Sequence, residues 1–277
     1  MKNSISTFFV LVFVGLVLGN TDLAYSESEN LALAQGKWID LTHDFSEDTV
    51  YWPTAEGFEL ETVFEGNTDK GYYYTANKYT ASEHGGTHID SPIHFAQGKQ
   101  TVDEIPLERL IGPAVVINVT QNTLSDPDYQ IGVKDFTDWE SKNGPIPDGS
   151  IVLLNTGYAK YWPDRVKYMG TDKRDDEAVK NLHFPGLDPK AAKWLVENRN
   201  INAIGLDTPS IDYGQSQLFE SHQILFKENI PAFENVTNLD KLPPKGAIII
   251  ALPMKIKGGS GGPLRIIAML PGENDKE

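Results

Sequence analysis

Residues 82–95 read SEHGGTHIDSPIHF and gather three of the chain's 6 histidines, His84, His88 and His94, around Asp90. Two neutral imidazoles and a carboxylate on one side of a chain make a facial N,N,O set. Such a set suits Zn²⁺ or Mn²⁺ and leaves positions open for water and a reactant. A water bound there ionises near neutrality and becomes a nucleophile. His94 lies beyond Pro92 and has two readings. It is either another ligand, or an unligated imidazole that takes a proton from bound water and passes it to a leaving nitrogen. Any one of these histidines alone reads more simply as a hydrogen-bonded structural residue. The four together, with Gly85-Gly86 and Pro92 placed to bend the chain, read as a site.

The backbone that carries them can be neither a regular helix nor a straight strand. A helix would put His84 and His88 on one face, but Gly85-Gly86 and Ser91-Pro92 oppose it. In an extended chain the even-numbered residues 84, 88, 90 and 94 all point one way. Kept straight, however, that chain would separate His84 from His94 by about 33 Å at roughly 3.3 Å per residue. Bends at the glycine pair and the proline resolve the conflict. His88 and Asp90 stay on one face of a short extended core, and His84 folds back over the glycines to join them.

The elements that must position this stretch are mostly strands. Short β-branched runs recur at 37–43, 113–120, 150–158, 201–207, 247–253 and 264–270, several of them continuously apolar, the pattern of strands covered on both faces. DPKAAKWLVENRN reads as a helix, with Asp188 as cap, Pro189 in the first turn and Ala191, Trp194, Leu195 and Asn198 along one face. Strand, helix and strand from 150 to 207 form a crossover unit interrupted by a long loop at 159–187. SHQILFKENI, 221–230, reads as a second helix ended by Pro231. No internal repeat or linker divides the chain, so the expectation is a single mixed α/β domain over 27–277 with strands outnumbering helices.

Residues 1–26 form a separate case. Lys2, the uncharged apolar run SISTFFVLVFVGLVLG and Ala24-Tyr25-Ser26 have the layout of a cleavable signal peptide, with a membrane anchor as the rival reading. Export to the periplasm or the exterior is expected, and no later stretch is long and apolar enough to cross a bilayer. The chain has no cysteine, which excludes disulfides, thiol nucleophiles and thiolate metal sites. Stability must then come from a sizeable core, with bound metal and oligomerisation as further sources. A net charge of −15 repels nucleic-acid backbones and anionic lipid, so neither is expected as a partner once the signal is removed.

The run His84-x-Gly-Thr-His88-x-Asp90-x-Pro-x-His94-Phe resembles, without a gap, the HxGTHxDxPxHF signature of the cyclase family of metal-dependent hydrolases. Bacterial kynurenine formamidases and isatin hydrolases belong to that family. DLTHDFSEDTVYWP at 40–53 resembles its opening strand and turn, GLDTPSID at 205–212 its second motif, and GGSGGPLR at 258–265 its closing loop. The resemblance implies a swivelling β/β/α fold with a partly open barrel, found in oligomers. It also implies that His84, His88, Asp90, His222 and Glu234 hold one or two metal ions, with the carboxylates bridging, and that His94 is the general acid/base. Trp52 stands where a family tryptophan packs on the substrate ring. The segment AKYWPDRVKYMGTDKRDDEAVKNLHFPG, absent from compact formamidases, looks more like the isatin-hydrolase branch.

The expected activity is therefore hydrolysis of a small aryl formamide or cyclic amide, resembling N-formylkynurenine or isatin, by metal-activated water. Backbone N–H groups around Gly85–Thr87 are candidate oxyanion donors. Tyr72, Tyr73, Tyr74 and Phe95 are candidates to line the pocket, although the tyrosines equally fit simple alternation on a strand. His43 reads as structural, and His183 as a loop residue that can approach the pocket. The sequons at Asn118, in a buried-looking strand, and at Asn235, beside Glu234, are expected to be unused. The rival class is an exported, non-enzymatic protein that uses the metal only to hold a small ligand. A cupin site is set aside because the spacing is H-x3-H-x-D.

Overall fold

The apolar runs become the middle of a ring of strands. The computed structural model describes residues 36–271, so the expected signal peptide lies outside the described residues. Along the chain run β1 (Lys37–Asp40), β2 (Glu59–Asn67), β3 (Tyr73–Thr80), β4 (His88–Asp90), β5 (Ile111–Asn118) and β6 (Gln130–Ile131). They are followed by β7 (Ile151–Asn155), β8 (Gly186–Leu187), β9 (Ala203–Leu206), β10 (Ala232–Glu234), β11 (Lys245–Pro253) and β12 (Gly261–Leu270). The main sheet runs β1-β12-β11-β5-β7-β9-β10-β4, and β12 also pairs with β4. Seven strands thus close on themselves, with β1 attached outside the ring. The closure is short, using only Gly261–Asp90, Gly262–Ile89 and Pro263–His88. The barrel left partly open by the expectation is completed by the same three residues that carry two of the site's side chains.

Alternation sorts the strand residues between two cores, as a period of two requires. Ala114, Val116, Ile151 and Leu153 point into the barrel with Ile89, Phe233 and Ile249. Val115, Ile117, Val152 and Leu154 point outward onto Phe136, Trp139, Leu195 and Phe226. Each fully buried aliphatic contributes about 1.5–3 kcal/mol, so both faces of these strands are committed. The outer residues belong to a helical layer of α1 (Val133–Asn143), α2 (Pro189–Asn198) and α3 (Glu220–Lys227).

The helix expected after Asp188 forms as read, with the Asp188 carboxylate accepting the Lys190 N–H at 2.7 Å. Its buried face is Ala191, Ala192 and Leu195, while Asn198 is exposed, one position off the expected stripe. The second helix ends at Lys227, ahead of Pro231. β7 and β9 are parallel neighbours, as a crossover demands.

Two regions depart from this frame. The segment expected as a long loop at 159–187 is built from short helical turns at Tyr158–Tyr161, Arg165–Met169 and Asp176–Val179. Its Tyr168, Met169, Leu182 and Phe184 form a third apolar cluster with Val50, backed by Trp52 and Trp162. The other region is the β2–β3 hairpin, which pairs only with itself. Both of its faces are open, and Tyr72, Tyr73 and Tyr74 are 56%, 60% and 50% exposed. No helix among the described residues is long and apolar enough to cross a membrane.

Candidate active site

The glycine pair shapes the approach to β4. A Cβ at Gly85 would sit 2.0 Å from the Tyr51 ring, so only a glycine lets the chain pass. Gly86 has φ +58° and would place a Cβ 2.7 Å from Phe45, which makes it a left-handed turn that no larger residue fits. Past this turn His88 and Asp90 point to the same side of β4, both 2% exposed. Glu234 on β10 lies opposite His88 in the antiparallel register. His222, in the first turn of α3, completes the group. His84 folds back over the glycines until its Nδ1 is 2.7 Å from Asp90 Oδ1.

Each imidazole is held from outside by a hydrogen bond that settles its tautomer. Ser260 Oγ donates to Glu83 Oε2 at 2.7 Å, so it accepts from His84 Nε2–H at 2.9 Å. His88 Nδ1–H donates to the Gly86 carbonyl at 3.0 Å. His222 Nδ1–H donates to Asp212 Oδ2 at 2.5 Å. When the rings are neutral, the inner nitrogens, Nδ1 of His84 and Nε2 of His88 and His222, carry the free electron pairs. Those pairs face carboxylate oxygens. His88 Nε2 lies 3.1 Å from Asp90 Oδ1 and 3.5 Å from Glu234 Oε2, and makes no hydrogen bond. His222 Nε2 lies 3.2 Å from both Asp90 Oδ2 and Glu234 Oε1. Such an arrangement in a buried site is stable only with positive charge among these atoms, carried by protons on the rings or by a metal cation held between them.

The donors fall into two groups, His84, His88, Asp90 and Asp90, His222, Glu234, each within 4.8 Å. Asp90 serves both, which fits a pair of divalent ions sharing a carboxylate. Nitrogen and carboxylate donors without sulfur suit Zn²⁺ or Mn²⁺. Protons compete for the same places. Burial lowers the pKa of His222, but hydrogen bonds with Asp212, Asp90 and Glu234 outweigh it and raise it well above the usual imidazole value. His88 rises for the same reason, through Asp90, Glu234 and Gly86. Burial pushes Asp90 up, yet the His84 charge and bonds from His222, His84 and His88 hold it well below the usual carboxylate range. Burial and the Asp90 charge raise Glu234.

His94 differs from these three. It ends the turn Pro92–His94, stacks on the His84 ring at 3.8 Å, and stands open to the pocket. Its surroundings lower its pKa to about 4, chiefly by desolvation, with Asp90 opposing and the other imidazoles adding to the drop. That direction favours an uncharged ring beside the cluster. A cavity of ≈310 Å³ opens over His84, His88, Asp90, His94, His222 and Glu234. Its apolar wall is Trp52, Phe95 and Phe219, with Phe219 centroids 6.2 Å from Trp52 and 5.3 Å from Phe95. Trp52 is itself braced edge-on by Phe184 at 6.4 Å.

All seven residues singled out in the sequence, His84, His88, Asp90, His94, His222, Glu234 and Trp52, line this one cavity, and Phe95 joins them. Tyr72, Tyr73 and Tyr74 do not, because the hairpin carries them outward into solvent. His183 turns away to pair with Asp128 at 2.8 Å. The Gly86 N–H is unavailable to an oxyanion because it donates to the Val50 carbonyl at 3.0 Å. His43 stacks on Trp162 at 4.1 Å, half-buried and outside this cavity, a structural place. Asn118 lies exposed at its strand's end rather than buried, its side chain bound to Thr120.

Sequence reading gave no role to Asp212, Ser260, Glu83 or Phe219. The first three lay within quoted stretches. Their roles depend on contacts such as Ser260 to His84, 176 residues apart.

A closed strand ring with helices on one side and a histidine–carboxylate cluster at its rim defines a metal-dependent hydrolase. The profile of the Cyclase family matches residues 39–213, and the chain belongs to that family. It is 31% identical to an isatin hydrolase of Roseibium aggregatum over 84% of this chain and 86% of that protein. A kynurenine formamidase of Bacillus cereus is 29% identical over 83% and 96%. Among solved structures, an isatin hydrolase bound to the product analogue thioisatinate superposes with a TM-score of 0.79 at 28% identity, covering 89% of this chain and 97% of that one.

Proposed function

We propose that the protein is a metal-dependent amidohydrolase that cleaves the C–N bond of a small aryl formamide or cyclic amide, with isatin and N-formylkynurenine as the two model substrates. The observation that carries this reading is the contrast at the cluster: three imidazoles hydrogen-bonded on their outer nitrogens with the inner nitrogens facing two carboxylates, and His94 stacked beside them but outside both donor groups. The similarity to isatin hydrolase supports the cyclic amide, as does the segment at 159–186 that backs Trp52. A bound divalent cation, Zn²⁺ or Mn²⁺ and one or two in number, would acidify a water and polarise the substrate carbonyl. His84, His88, Asp90, His222 and Glu234 would hold it.

The other steps belong to side chains of this chain. Trp52, Phe95 and Phe219 grip a flat aryl ring and exclude bulk water. His94 removes a proton from the attacking water, and the imidazolium so formed returns it to the departing nitrogen. We also propose export through the N-terminal signal, and homo-oligomers joined through the β2–β3 hairpin. A two-stranded ribbon open on both faces is marginal alone, and Leu60, Val63, Tyr72 and Tyr73 are each more than half exposed.

The test is a hydrolysis assay with isatin, N-formylkynurenine and simple formanilides, run before and after chelation. Turnover of at least one substrate, lost on chelation and restored by zinc or manganese, is the expected result. Tight metal and ligand binding with no turnover of any of them would favour the binding-protein reading.

A further inference from the structure

We propose that Tyr168, in the segment inserted between β7 and α2, is a positioning residue for the metal cluster, acting on His88 through Asn235 and the Gly86 carbonyl. The inference rests on the metal-site reading above and adds to it the part of the molecule that keeps His88 in register.

The chain of contacts orients Asn235 and makes its Oδ1 the nearer of two acceptors for the Tyr168 hydroxyl. The Gly86 carbonyl can only accept, and it receives both His88 Nδ1–H at 3.0 Å and Asn235 Nδ2–H at 2.7 Å. Asn235 must therefore turn its Oδ1 the other way, toward the Tyr168 hydroxyl 2.9 Å off, which donates to it as the nearer acceptor. The same hydroxyl lies 3.2 Å from the Asp207 carbonyl. Tyr168, Asn235 and the His88 imidazole are all buried, so no water replaces a lost partner without a rearrangement.

The need for such a clamp follows from the glycines. Gly85-Gly86 lets the chain pass Tyr51 and Phe45, but a glycine pair does not by itself fix the plane of the peptide after Gly86. The carbonyl of that peptide decides which His88 nitrogen carries hydrogen. If it turns away, the proton is free to sit on Nε2, where a cation must bind. Asn235 is well placed to prevent this. It follows ligand Glu234 directly, has φ +53°, and its carbonyl accepts the Thr87 hydroxyl at 2.7 Å, tying β10 to β4. The inserted segment thereby reaches the ligands from the far side of Asn235 while its Phe184 braces Trp52 on the substrate side.

The experiment measures zinc affinity of the mature protein, stripped of metal and titrated against a chromophoric chelator, for wild type, Tyr168→Phe, Asn235→Gly and the double variant. Glycine at 235 keeps the left-handed backbone while removing the amide. Tyr161→Phe, in the same segment but without a hydrogen bond to the cluster, is the control, and circular dichroism with thermal midpoints reports folding. Each single variant should weaken zinc binding by about 10–100-fold while staying folded. The double variant should be no weaker than the weaker single, because both act through one carbonyl. Wild-type affinity in Tyr168→Phe, or effects that add, would overturn the inference while leaving the metal site intact. A wild-type chain that binds no zinc would overturn both.

Discussion

The metal cluster and the β2–β3 hairpin break the usual rule of burial in opposite directions. In the cluster, two carboxylates and two of the three ligand imidazoles lie almost wholly out of water with electron pairs opposed. In the hairpin, Leu60, Val63, Phe64 and a run of tyrosines stand in water on both faces. Buried charge without a counter-charge and exposed hydrocarbon without cover are both costly, so each region marks a missing companion. The kind of companion differs. The cluster is rigid, every imidazole pinned from outside, and is built for an ion whose position matters to tenths of an ångström. The hairpin is held mainly by its own ladder and the Glu61–Lys78 pair, and suits a broad surface such as another copy of the chain.

The largest effect should come from the residue shared by both ligand groups. Asp90→Ala should abolish turnover and strip most bound metal by elemental analysis; retention of full metal would break the contrast at its strongest point. His94→Ala should keep its metal and lose about 10²–10⁴ in turnover, since the proposed mechanism gives His94 a proton-transfer role and no place among the ligands. An unchanged rate would remove it from the mechanism. Acidity should act on the cluster alone. His88 and His222 have raised pKa values, so protons displace the cation as pH falls, and zinc affinity should drop on the order of tenfold per pH unit for each proton displaced. Titrations between pH 8 and 6 that give one affinity would contradict the opposed lone pairs. Asp212→Asn loses the charged acceptor of His222 and should weaken zinc binding by about 10–100-fold. The smallest change belongs to the hairpin: Val63→Glu with Tyr73→Glu should weaken self-association by about tenfold without altering metal content, read by light scattering across a dilution series.

Legibility in the sequence follows the range of the interactions. The short-range logic of SEHGGTHIDSPIHF, with donors on even positions and bends at Gly85-Gly86 and Pro92, anticipated that His84, His88 and Asp90 converge because the geometry is local. Capping at Asp188 and the continuous apolar runs marked α2 and β5, β7, β9, β11 and β12 for the same reason. His222 and Glu234 carried no local signal, and only the resemblance to the cyclase family brought them in. The outer partners Asp212, Ser260, Asn235 and Tyr168 were missed because an acceptor for a distant imidazole has no periodicity of its own. The hairpin was read only in part: a strand was one of two readings for Tyr72–Tyr74, and β3 begins at Tyr73, but its partner β2 was not expected. With neither face of β2 buried, its sequence ELETVFEGN has no sustained polar–apolar alternation by which a strand is recognised.

The most direct test of the central claim is the anomalous scattering of crystals grown with zinc. Peaks are expected between His84 Nδ1, His88 Nε2, Asp90, His222 Nε2 and Glu234, with His94 outside bonding distance and at least one coordination position facing Trp52. A map with no peak among these atoms, or with the imidazoles of His84 and His88 turned away from one another, would contradict the account.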